Sequence, residues 1–210
     1  MSPPRISDSA VRRLSQYLRY LDQVQAEGTG TVSSEDLARA GGMTPAQVRK
    51  DLSHFGSFGK RGLGYPVEEL RARLTAILGL DREWRVCVVG AGRLGAALHQ
   101  YDGFRRRGFE IVGIFDVDPA KIGRRWRDLV VENVTALDEA AEERGIEIGI
   151  VATPAEGAQD AVDRLARAGV RAILNFAPAT IETPEGVAVR DVDLVVELES
   201  LSFALTHGRG

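Results

Sequence analysis

The sequence has few of the residues that build disulfides and metal sites. Its 210 residues include one cysteine, Cys87, and three histidines, His54, His99 and His207. A single thiol cannot form a disulfide framework, and these side chains are too few and too scattered for a zinc site. We therefore expect a protein of a reducing compartment that binds no metal.

Long apolar runs are also missing. No segment approaches the roughly 18 apolar residues of a membrane span, and the opening MSPPRISDSAVRR has no apolar core like that of a signal peptide. The hydrophobic share is nevertheless 44%, which can fill a core and excludes general disorder. The sequence predicts a cytoplasmic protein with no membrane partner, built from one large domain or two small ones.

The net charge of −3 conceals two regions of opposite sign. Residues 1–80 carry 11 Lys or Arg against 8 Asp or Glu, a net charge of +3, whereas residues 81–210 carry 16 against 22, a net charge of −6. Two regions of opposite charge predict two domains with different partners. We place the domains at 1–80 and 81–190, with a separate C-terminal helix at 191–210.

The first region reads as a series of helices. Apolar residues at three-and-four spacing predict a long amphipathic helix over 9–26. Its predicted buried face consists of Val11, Leu14, Tyr17, Leu18, Leu21 and Val24. A shorter helix is expected to begin at Ser33 and Ser34 and to end at Gly41-Gly42, where glycine can adopt the left-handed conformation that terminates a helix.

A third helix is predicted from Pro45 to about His54. Thr44 is a capping residue, Pro45 is tolerated in the first turn, and Gln47 stands where it could complete a capping box. Val48 and Leu52 lie four residues apart and are expected to face inward. Two short helices joined by a tight turn are typical of the helix-turn-helix, whose second helix enters the DNA major groove.

Basic residues follow this predicted recognition helix. The glycine-rich segment 56–65 reads as a hairpin wing whose tip could insert a cation into the minor groove. The alternative is that the charges belong to a solvated helix face and the glycines to an ordinary hairpin. The helix cap, the tight turn and the basic residues together favour double-stranded DNA as the partner. The expected DNA contacts are Thr44, Gln47, Arg49, Lys50, Ser53, Lys60 and Arg61. Because a charge of +3 is modest, we expect a dimer that reads two half-sites.

The second region contains a dinucleotide-binding pattern. A buried-strand run over 85–89 leads directly into Gly90-Ala91-Gly92-Arg93-Leu94-Gly95, and a helical pattern follows. Glycines at these positions permit the turn, the approach of a pyrophosphate and close helix packing. The phosphates would lie at the helix N-terminus, where free amides and the helix dipole favour negative charge.

An acidic residue ends the next predicted strand, over 111–115. Asp116 lies 21 residues after Gly95, and an acid there can accept both ribose hydroxyls of NAD while repelling the 2′-phosphate of NADP. Lys121, Arg124 and Arg125 weaken this preference, although exposed charges are more often mere surface. The sequence therefore favours NADH and NAD⁺ as cofactors, with the phosphorylated forms as the alternative.

Two further strand-to-helix units are predicted, with strands over 146–152 and 172–176. Strand ends of a doubly wound parallel sheet line the ligand crevice, although Pro and Asn could equally serve as simple turn formers there. The expected cofactor-binding residues are Gly90, Ala91, Gly92, Arg93, Leu94, Gly95, Asp116, Val117, Thr153, Pro154, Asn175, Phe176 and Ala177. The fold class is α/β, a helix-turn-helix domain joined to a Rossmann-like domain.

Nothing in the sequence provides the substrate domain of a dehydrogenase. We therefore expect a ligand-gated DNA-binding protein rather than an enzyme. The alternatives are a small NAD-dependent oxidoreductase with a helical appendage, which turnover of NADH would reveal, and a regulator that reads coenzyme A. Asp116 argues against the phosphorylated ribose of the latter.

The C-terminal segment carries leucines at four-three-four spacing, as in an interhelical seam. These are Leu194, Leu198, Leu201 and Leu205. The segment could cover its own domain, or it could reach a second subunit and couple the halves of a dimer. The need for two DNA half-sites favours the second possibility.

Several motifs together resemble the Rex family of redox-sensing transcriptional repressors. They are QVRKDLSHFG at 47–56, GKRGLGY at 59–65, the glycine turn at 90–95, FDVDP at 115–119 and NFAP at 175–178. The resemblance covers almost the whole chain in order. The sequence departs from it at Arg93, where many relatives have asparagine.

The resemblance implies a homodimer with winged-helix domains, Rossmann domains and exchanged C-terminal helices. It implies a repressor that senses the ratio of NADH to NAD⁺ and that NADH releases from an inverted-repeat operator. It also implies three switch residues by their positions. Asp193 would pair with Arg19 in the DNA-binding form and with Tyr101 when NADH is bound.

Overall fold

A computed structural model describes residues 6–56 and 63–208 of the chain. The chain forms two compact units, one up to Arg82 and the other from Glu83 onward. Within the described ranges, no helix is both long enough and apolar enough to cross a bilayer.

The first unit consists of four helices and a two-stranded sheet. In chain order its elements are α1 (Asp8–Ala26), β1 (Thr31–Val32), α2 (Ser34–Gly41), α3 (Pro45–Ser53), β2 (Tyr65–Pro66) and α4 (Val67–Ile77). The helix α1 packs against α2 and α4, and α2 packs against α3. The three predicted helices are confirmed, whereas α4 and the short β1 were not predicted.

The predicted buried face of α1 is correct at every position except Val11. The other five apolar residues are at most 5% exposed, but Val11 is 40% exposed. Val11 lies in the first helical turn, at the margin of the apolar stripe, where Ala10 is buried instead. Apolar spacing therefore locates the stripe but not the point at which neighbouring elements stop covering it.

Side-chain caps determine where α2 and α3 begin. Ser33 and Asp36 form a full capping box at α2, which ends at left-handed Gly42 as predicted. At α3, Thr44 Oγ1 accepts the amide of Gln47 at 3.2 Å. The predicted return bond from Gln47 is wrong, because its side-chain amide donates instead to Asp51 Oδ1 at 2.7 Å.

The second unit is a seven-stranded sheet with helices on both faces. Its elements are β3 (Trp84–Val89), α5 (Arg93–Gln100), β4 (Phe109–Asp116), β5 (Arg125–Trp126), β6 (Leu129–Asn133), α6 (Leu137–Arg144), β7 (Ile148–Val151), α7 (Ala158–Arg167), β8 (Ala172–Asn175), β9 (Ala188–Asp191) and α8 (Leu194–His207). The strand order is β5-β6-β4-β3-β7-β8-β9, parallel except for the antiparallel edge strand β5. The expected doubly wound sheet is confirmed.

Alternation along β3 explains why both faces are covered. Val86 and Val88 pack in one apolar cluster with Leu98 of α5, whereas Cys87 and Val89 pack in another with residues of α6 and α7. Successive strand residues point to opposite faces, so an uninterrupted apolar run buries both. The chain runs outward from β3 to β4 and β6 and then returns to β7 on the other side. This reversal opens a crevice at the carboxyl end of β3.

The helix α8 presents its apolar side chains to solvent. Its seven large apolar residues are 55–89% exposed, and none of its residues is buried. The possibility that this segment covers its own domain is therefore wrong for this chain. The helix begins three residues later than the predicted tail because β9 extends to Asp191.

Candidate functional site

The turn between β3 and α5 requires glycine for different reasons at different positions. Gly90 has φ +109°, and a Cβ there would lie 2.6 Å from the carbonyl of Ala152 at the end of β7. Gly95 packs directly against the Gly90 carbonyl. Gly92 has no atom within 4 Å of where its Cβ would be, and it borders the open crevice. Two glycines therefore build the turn, and the third leaves room for a ligand.

This turn forms one wall of a cleft of about 490 Å³, a volume typical of sites for small molecules and cofactors. The predicted residues that line it are Gly90, Gly92, Arg93, Leu94, Asp116, Val117, Thr153, Pro154 and Phe176. Four other predicted residues, Ala91, Gly95, Asn175 and Ala177, are buried and do not line it, and Ala177 lines a neighbouring cleft instead. The cleft therefore collects residues from the ends of β3, β4, β7 and β8.

Asn175 has a supporting place in the structure. It is fully buried, its Oδ1 accepts the amide of Ala177 at 2.9 Å, and its Nδ2 donates to Asp191 Oδ1 at 2.8 Å. These bonds shape the turn that brings Phe176 to the cleft. Asn175 was predicted to bind the cofactor because it ends a strand. Its side chain instead stabilises the turn and does not line the cleft.

Asp116 is the most strongly engaged polar group of the cleft. It is 5% exposed, and its carboxylate accepts bonds from Ala91 N at 2.6 Å, Asp118 N at 2.8 Å and Lys121 Nζ at 2.9 Å. Burial raises its pKa, but these hydrogen bonds outweigh burial and hold the pKa below the usual value. A carboxylate offers about four acceptor positions, so three are occupied in this structure and one is open to a ribose hydroxyl.

Lys121 is therefore more than the surface charge that its sequence context favoured. It lines the cleft, and its ammonium lies 2.9 Å from Asp116 and 3.9 Å from Asp118. The sequence does not indicate this role, because a lysine five residues after a strand end is usually solvated. Arg124 and Arg125 do not line the cleft.

Thr153 provides an independent sign that the cleft is built for a polar ligand. Its hydroxyl Oγ1 is buried and has no hydrogen-bond partner among the described residues. Buried hydroxyls are almost always paired in folded proteins, so an unpaired one beside a cleft fits a group that a ligand would supply. With Gly92 open and the free amides of α5 adjacent, the residues fit a dinucleotide.

The single thiol lies away from this chemistry. Cys87 is fully buried in β3, and burial raises the pKa of its thiol to about 12. A thiol that stays protonated at neutral pH and is closed to solvent is a poor oxidant sensor. Oxidation of Cys87 is therefore a poor basis for a redox response.

A second cleft, of about 520 Å³, adjoins the first. Leu94, Phe176 and Pro178 line both clefts, and the second also contains Asp193 and the first residues of α8. Asp193 Oδ1 caps α8 by accepting the amide of Val195 at 2.8 Å. A ligand in the first cleft would thus contact side chains that also border the base of α8.

Two of the predicted switch residues are accessible on their own units. Tyr101 follows α5, is 61% exposed and makes an edge-to-face contact with Phe104 at 5.2 Å between ring centroids. Arg19 is exposed on α1. Both side chains are free to meet other groups.

The predicted recognition helix α3 packs on Val48 and Leu52, which are at most 2% exposed, as expected. Thr44, Lys50 and Ser53 are exposed, whereas Gln47 is half-buried. Arg49 Nη1 donates to Ser34 Oγ on α2 at 2.9 Å. Lys60 and Arg61 of the predicted wing lie outside the described residues. The strand β2 that follows them pairs with β1, with Val32 opposite Tyr65.

No group of three or more His, Cys, Asp or Glu side chains that could hold a metal ion is found in residues 6–56 and 63–208.

Sequence comparison finds relatives over nearly the full length. The chain is 51% identical over 199 residues to the redox-sensing transcriptional repressor Rex of Carboxydothermus hydrogenoformans, which covers 95% of this chain and 96% of the relative. It is 48% identical over 203 residues to the protein of the same name from Thermus thermophilus, covering 97% and 95%. Family models also match, "Putative DNA-binding protein N-terminus" over 5–53 and "CoA binding domain" over 81–179.

Solved structures agree over the same extent. The crystal structure of RSP in complex with beta-NAD⁺ and operator DNA matches with a TM-score of 0.91 at 40% identity, covering 96% of this chain and 93% of that chain. The structure of RSP in complex with beta-NADH matches with a TM-score of 0.86 at 38% identity, covering 96% and 94%. RSP is itself described as a Rex-family repressor.

Proposed function

The chain belongs to the Rex family of redox-sensing transcriptional repressors, and from this membership we propose that NADH binding releases it from operator DNA. It is a DNA-binding repressor that binds NADH and NAD⁺. The observation that carries the proposal is the presence, on one chain, of a capped helix-turn-helix and a dinucleotide cleft. Neither element alone would distinguish a sensor from an enzyme or a simple DNA-binding protein.

DNA recognition is assigned to α3 and the segment after it. The exposed residues Thr44, Lys50 and Ser53 surround the N-terminus and outer face of α3, where major-groove readers place their contacts. Gln47 and Arg49 present donors that suit base edges and phosphates. Lys60 and Arg61 complete the assignment as minor-groove contacts of the wing.

The nucleotide is assigned to the cleft at the glycine turn. The amides around Gly92 and Arg93 would hold the pyrophosphate, and Asp116 would accept a ribose hydroxyl. Asp116 disfavours a phosphorylated adenine ribose, although Lys121 beside it reduces that penalty. We therefore expect NADH to bind more tightly than NADPH or coenzyme A.

A dimer is the state that this chain needs to bind its operator. An inverted-repeat operator presents two half-sites, and each subunit carries one recognition helix. The exposed apolar side chains of α8 support exchange of this helix between subunits, as the family resemblance implies. As a regulator of transcription it would act in the cytoplasm, and we expect no turnover of NADH.

Titration of NADH and NAD⁺ into the DNA complex tests the proposed function. The full-length protein would be bound to a labelled inverted-repeat operator, selected from a randomised pool, at one salt concentration. NADH is expected to weaken operator binding by about 5- to 150-fold, the usual range of allosteric coupling, and NAD⁺ to leave it nearly unchanged. An operator complex that ignores NADH, or oxidation of NADH with a candidate substrate, would contradict the proposal.

Asp193→Asn tests the proposed switch without removing the cap of α8. Asparagine caps helices about as well as aspartate, so the bond to Val195 is retained while the charge that would pair with Arg19 is lost. We expect NADH affinity within about twofold of the parent, but at least a fivefold smaller effect of NADH on operator affinity. Calorimetry and the operator titration measure the two quantities separately. An unaltered response to NADH would refute the role of Asp193.

A further inference from the structure

A buried carboxylate lies behind the outer face of the recognition helix. Asp51, on α3, is 2% exposed and accepts four hydrogen bonds. Arg13 of α1 donates from Nε at 2.6 Å to Oδ2 and from Nη2 at 2.7 Å to Oδ1. Tyr17 Oη donates to Oδ2 at 2.9 Å, and Gln47 Nε2 donates to Oδ1 at 2.7 Å. Every acceptor position of this carboxylate is therefore in use.

The bond from Gln47 determines which way its amide points. An ionised carboxylate only accepts hydrogen bonds, so it must be the NH₂ group of Gln47, and not its oxygen, that faces Asp51. The amide oxygen and the second N–H then remain for other partners. Asp51 thus removes the twofold ambiguity that a glutamine side chain otherwise has.

The ionised form of Asp51 is secured by its neighbours. Burial raises the pKa of this carboxyl group, but the bonds from Arg13, Gln47 and Tyr17 outweigh burial and lower the pKa below the usual value. Tyr17 is itself buried, and its hydroxyl also lies 2.7 Å from Met43 Sδ. The group therefore remains an acceptor at neutral pH, held by side chains of α1.

A glutamine that offers one acceptor and one donor side by side matches adenine. In the major groove adenine presents the N6 amino donor beside the N7 acceptor, and glutamine pairs with both. Guanine presents two acceptors, N7 and O6, which suit two donors instead. The orientation of the Gln47 amide therefore decides which purine it favours.

We propose that Asp51 is a positioning residue for operator recognition, which holds the Gln47 amide in the orientation that selects adenine. The proposal rests on the proposed function, because it concerns the base preference of the DNA site. Asp51 does not touch DNA itself. Its charge orients the Gln47 amide, and its bonds to side chains of α1 hold α3 in position relative to α1.

Base-preference profiles of four full-length proteins test this role. The parent, Gln47→Ala, Asp51→Asn and Tyr17→Phe would each select sites from a randomised inverted-repeat pool at one salt concentration. Gln47→Ala identifies the base pair that Gln47 reads. At that pair we expect the parent to prefer adenine by about tenfold, the discrimination of a good bidentate contact. Asp51→Asn is expected to lose this preference, with guanine gaining, because asparagine can donate to Gln47 and turn its amide.

Tyr17→Phe is the matched control. It removes one of the four bonds to the same carboxylate but leaves Gln47 and Arg13 in place, so the adenine preference should persist.

Should Asp51→Asn fail to fold, Asp51→Glu keeps the charge for Arg13 while moving the oxygens by one methylene, and at least a threefold loss of preference is expected. Circular dichroism and the melting temperature report folding.

Three results would overturn the proposal. They are a folded Asp51→Asn protein with the full adenine preference, a parent without an adenine preference at the Gln47 position, and a Tyr17→Phe protein that loses the preference as completely as Asp51→Asn. The last would show that Asp51 only stabilises the domain. If the parent selects no inverted repeat at all, the proposed function fails instead, and the two failures are thereby distinguished.

Discussion

Gly92→Val is expected to produce a repressor that binds operator DNA but no longer responds to NADH. A Cβ at this position meets no atom within 4 Å, and the backbone φ of −89° suits any residue. The fold should therefore tolerate valine. The side chain would project into the cleft beside the amides that would hold the pyrophosphate.

The size of this effect follows from the contacts that valine displaces. Charge-assisted hydrogen bonds to phosphate contribute about 1.5–3 kcal/mol each, so the loss of two lowers NADH affinity by about 100-fold or more. Calorimetry measures the affinity, and the operator titration measures the loss of release. Gly30→Ala serves as the control, since its Cβ also meets nothing but lies in the other unit.

Comparison with Gly90→Ala distinguishes loss of NADH binding by steric blocking from loss caused by a damaged turn. Its Cβ would meet the Ala152 backbone at 2.6 Å, and a φ of +109° is strained for alanine. This variant should lose thermal stability as well as NADH binding. Gly92→Val should keep the parent melting temperature within a few degrees. Tight NADH binding by a folded Gly92→Val protein would show that the nucleotide does not lie at this turn.

Leu201→Glu is expected to dissociate the dimer and thereby to weaken operator binding by about 100-fold or more. Leu201 is 57% exposed and shares a stripe of α8 with Leu194, Leu198 and Leu205, while Val196 and Phe203 lie on the opposite side. A helix that is apolar on opposite sides needs cover from more than one surface. A charge placed in such a surface is costly unless it is paired.

The loss in DNA affinity follows from the linkage of two recognition helices. When two binding modules are joined, the second binds at a high effective concentration, which raises avidity by roughly 10²–10⁴. A monomer retains only the single half-site. Sedimentation measures the oligomeric state, and titration at fixed salt measures the operator affinity.

Glu199→Gln is the control on the same helix, because it changes charge at a position that is already polar and exposed. It should remain a dimer with parent affinity. A dimeric Leu201→Glu protein with unchanged operator affinity would show that α8 is not the dimer contact. Normal NADH affinity in the Leu201→Glu monomer would further show that the nucleotide cleft belongs to one chain.

Local signals explain the parts of the fold that could be predicted. The caps at Ser33 and Thr44 and the left-handed Gly42 act within a few residues, so α2 and α3 were located almost to their ends. The helix α4 and the two-residue strand β1 were not predicted. The strand β1 is defined only by pairing with Tyr65–Pro66, more than thirty residues away, and two residues carry no periodicity.

The candidate sites divide in the same way. The order of strand, glycine turn, helix and distant acid was sufficient to locate the cleft, because that motif is continuous along the chain. It was not sufficient to decide which residues line the cleft. Asn175 stands at a strand end like Phe176, yet it supports the turn, and Lys121 reaches the carboxylate of Asp116.

The sequence by itself determined the two kinds of domain, the recognition helix and the glycine turn, because capping, periodicity and glycine spacing act between near neighbours. Only the tertiary structure decided the partners of the charged groups. In the sequence, Asp51 is a lone acid in a basic segment. In the structure it is a buried carboxylate whose acceptor positions are all bonded, two of them to Arg13, which lies 38 residues earlier. Contacts between elements depend on how helices and strands pack, and spacing along the chain does not encode that packing.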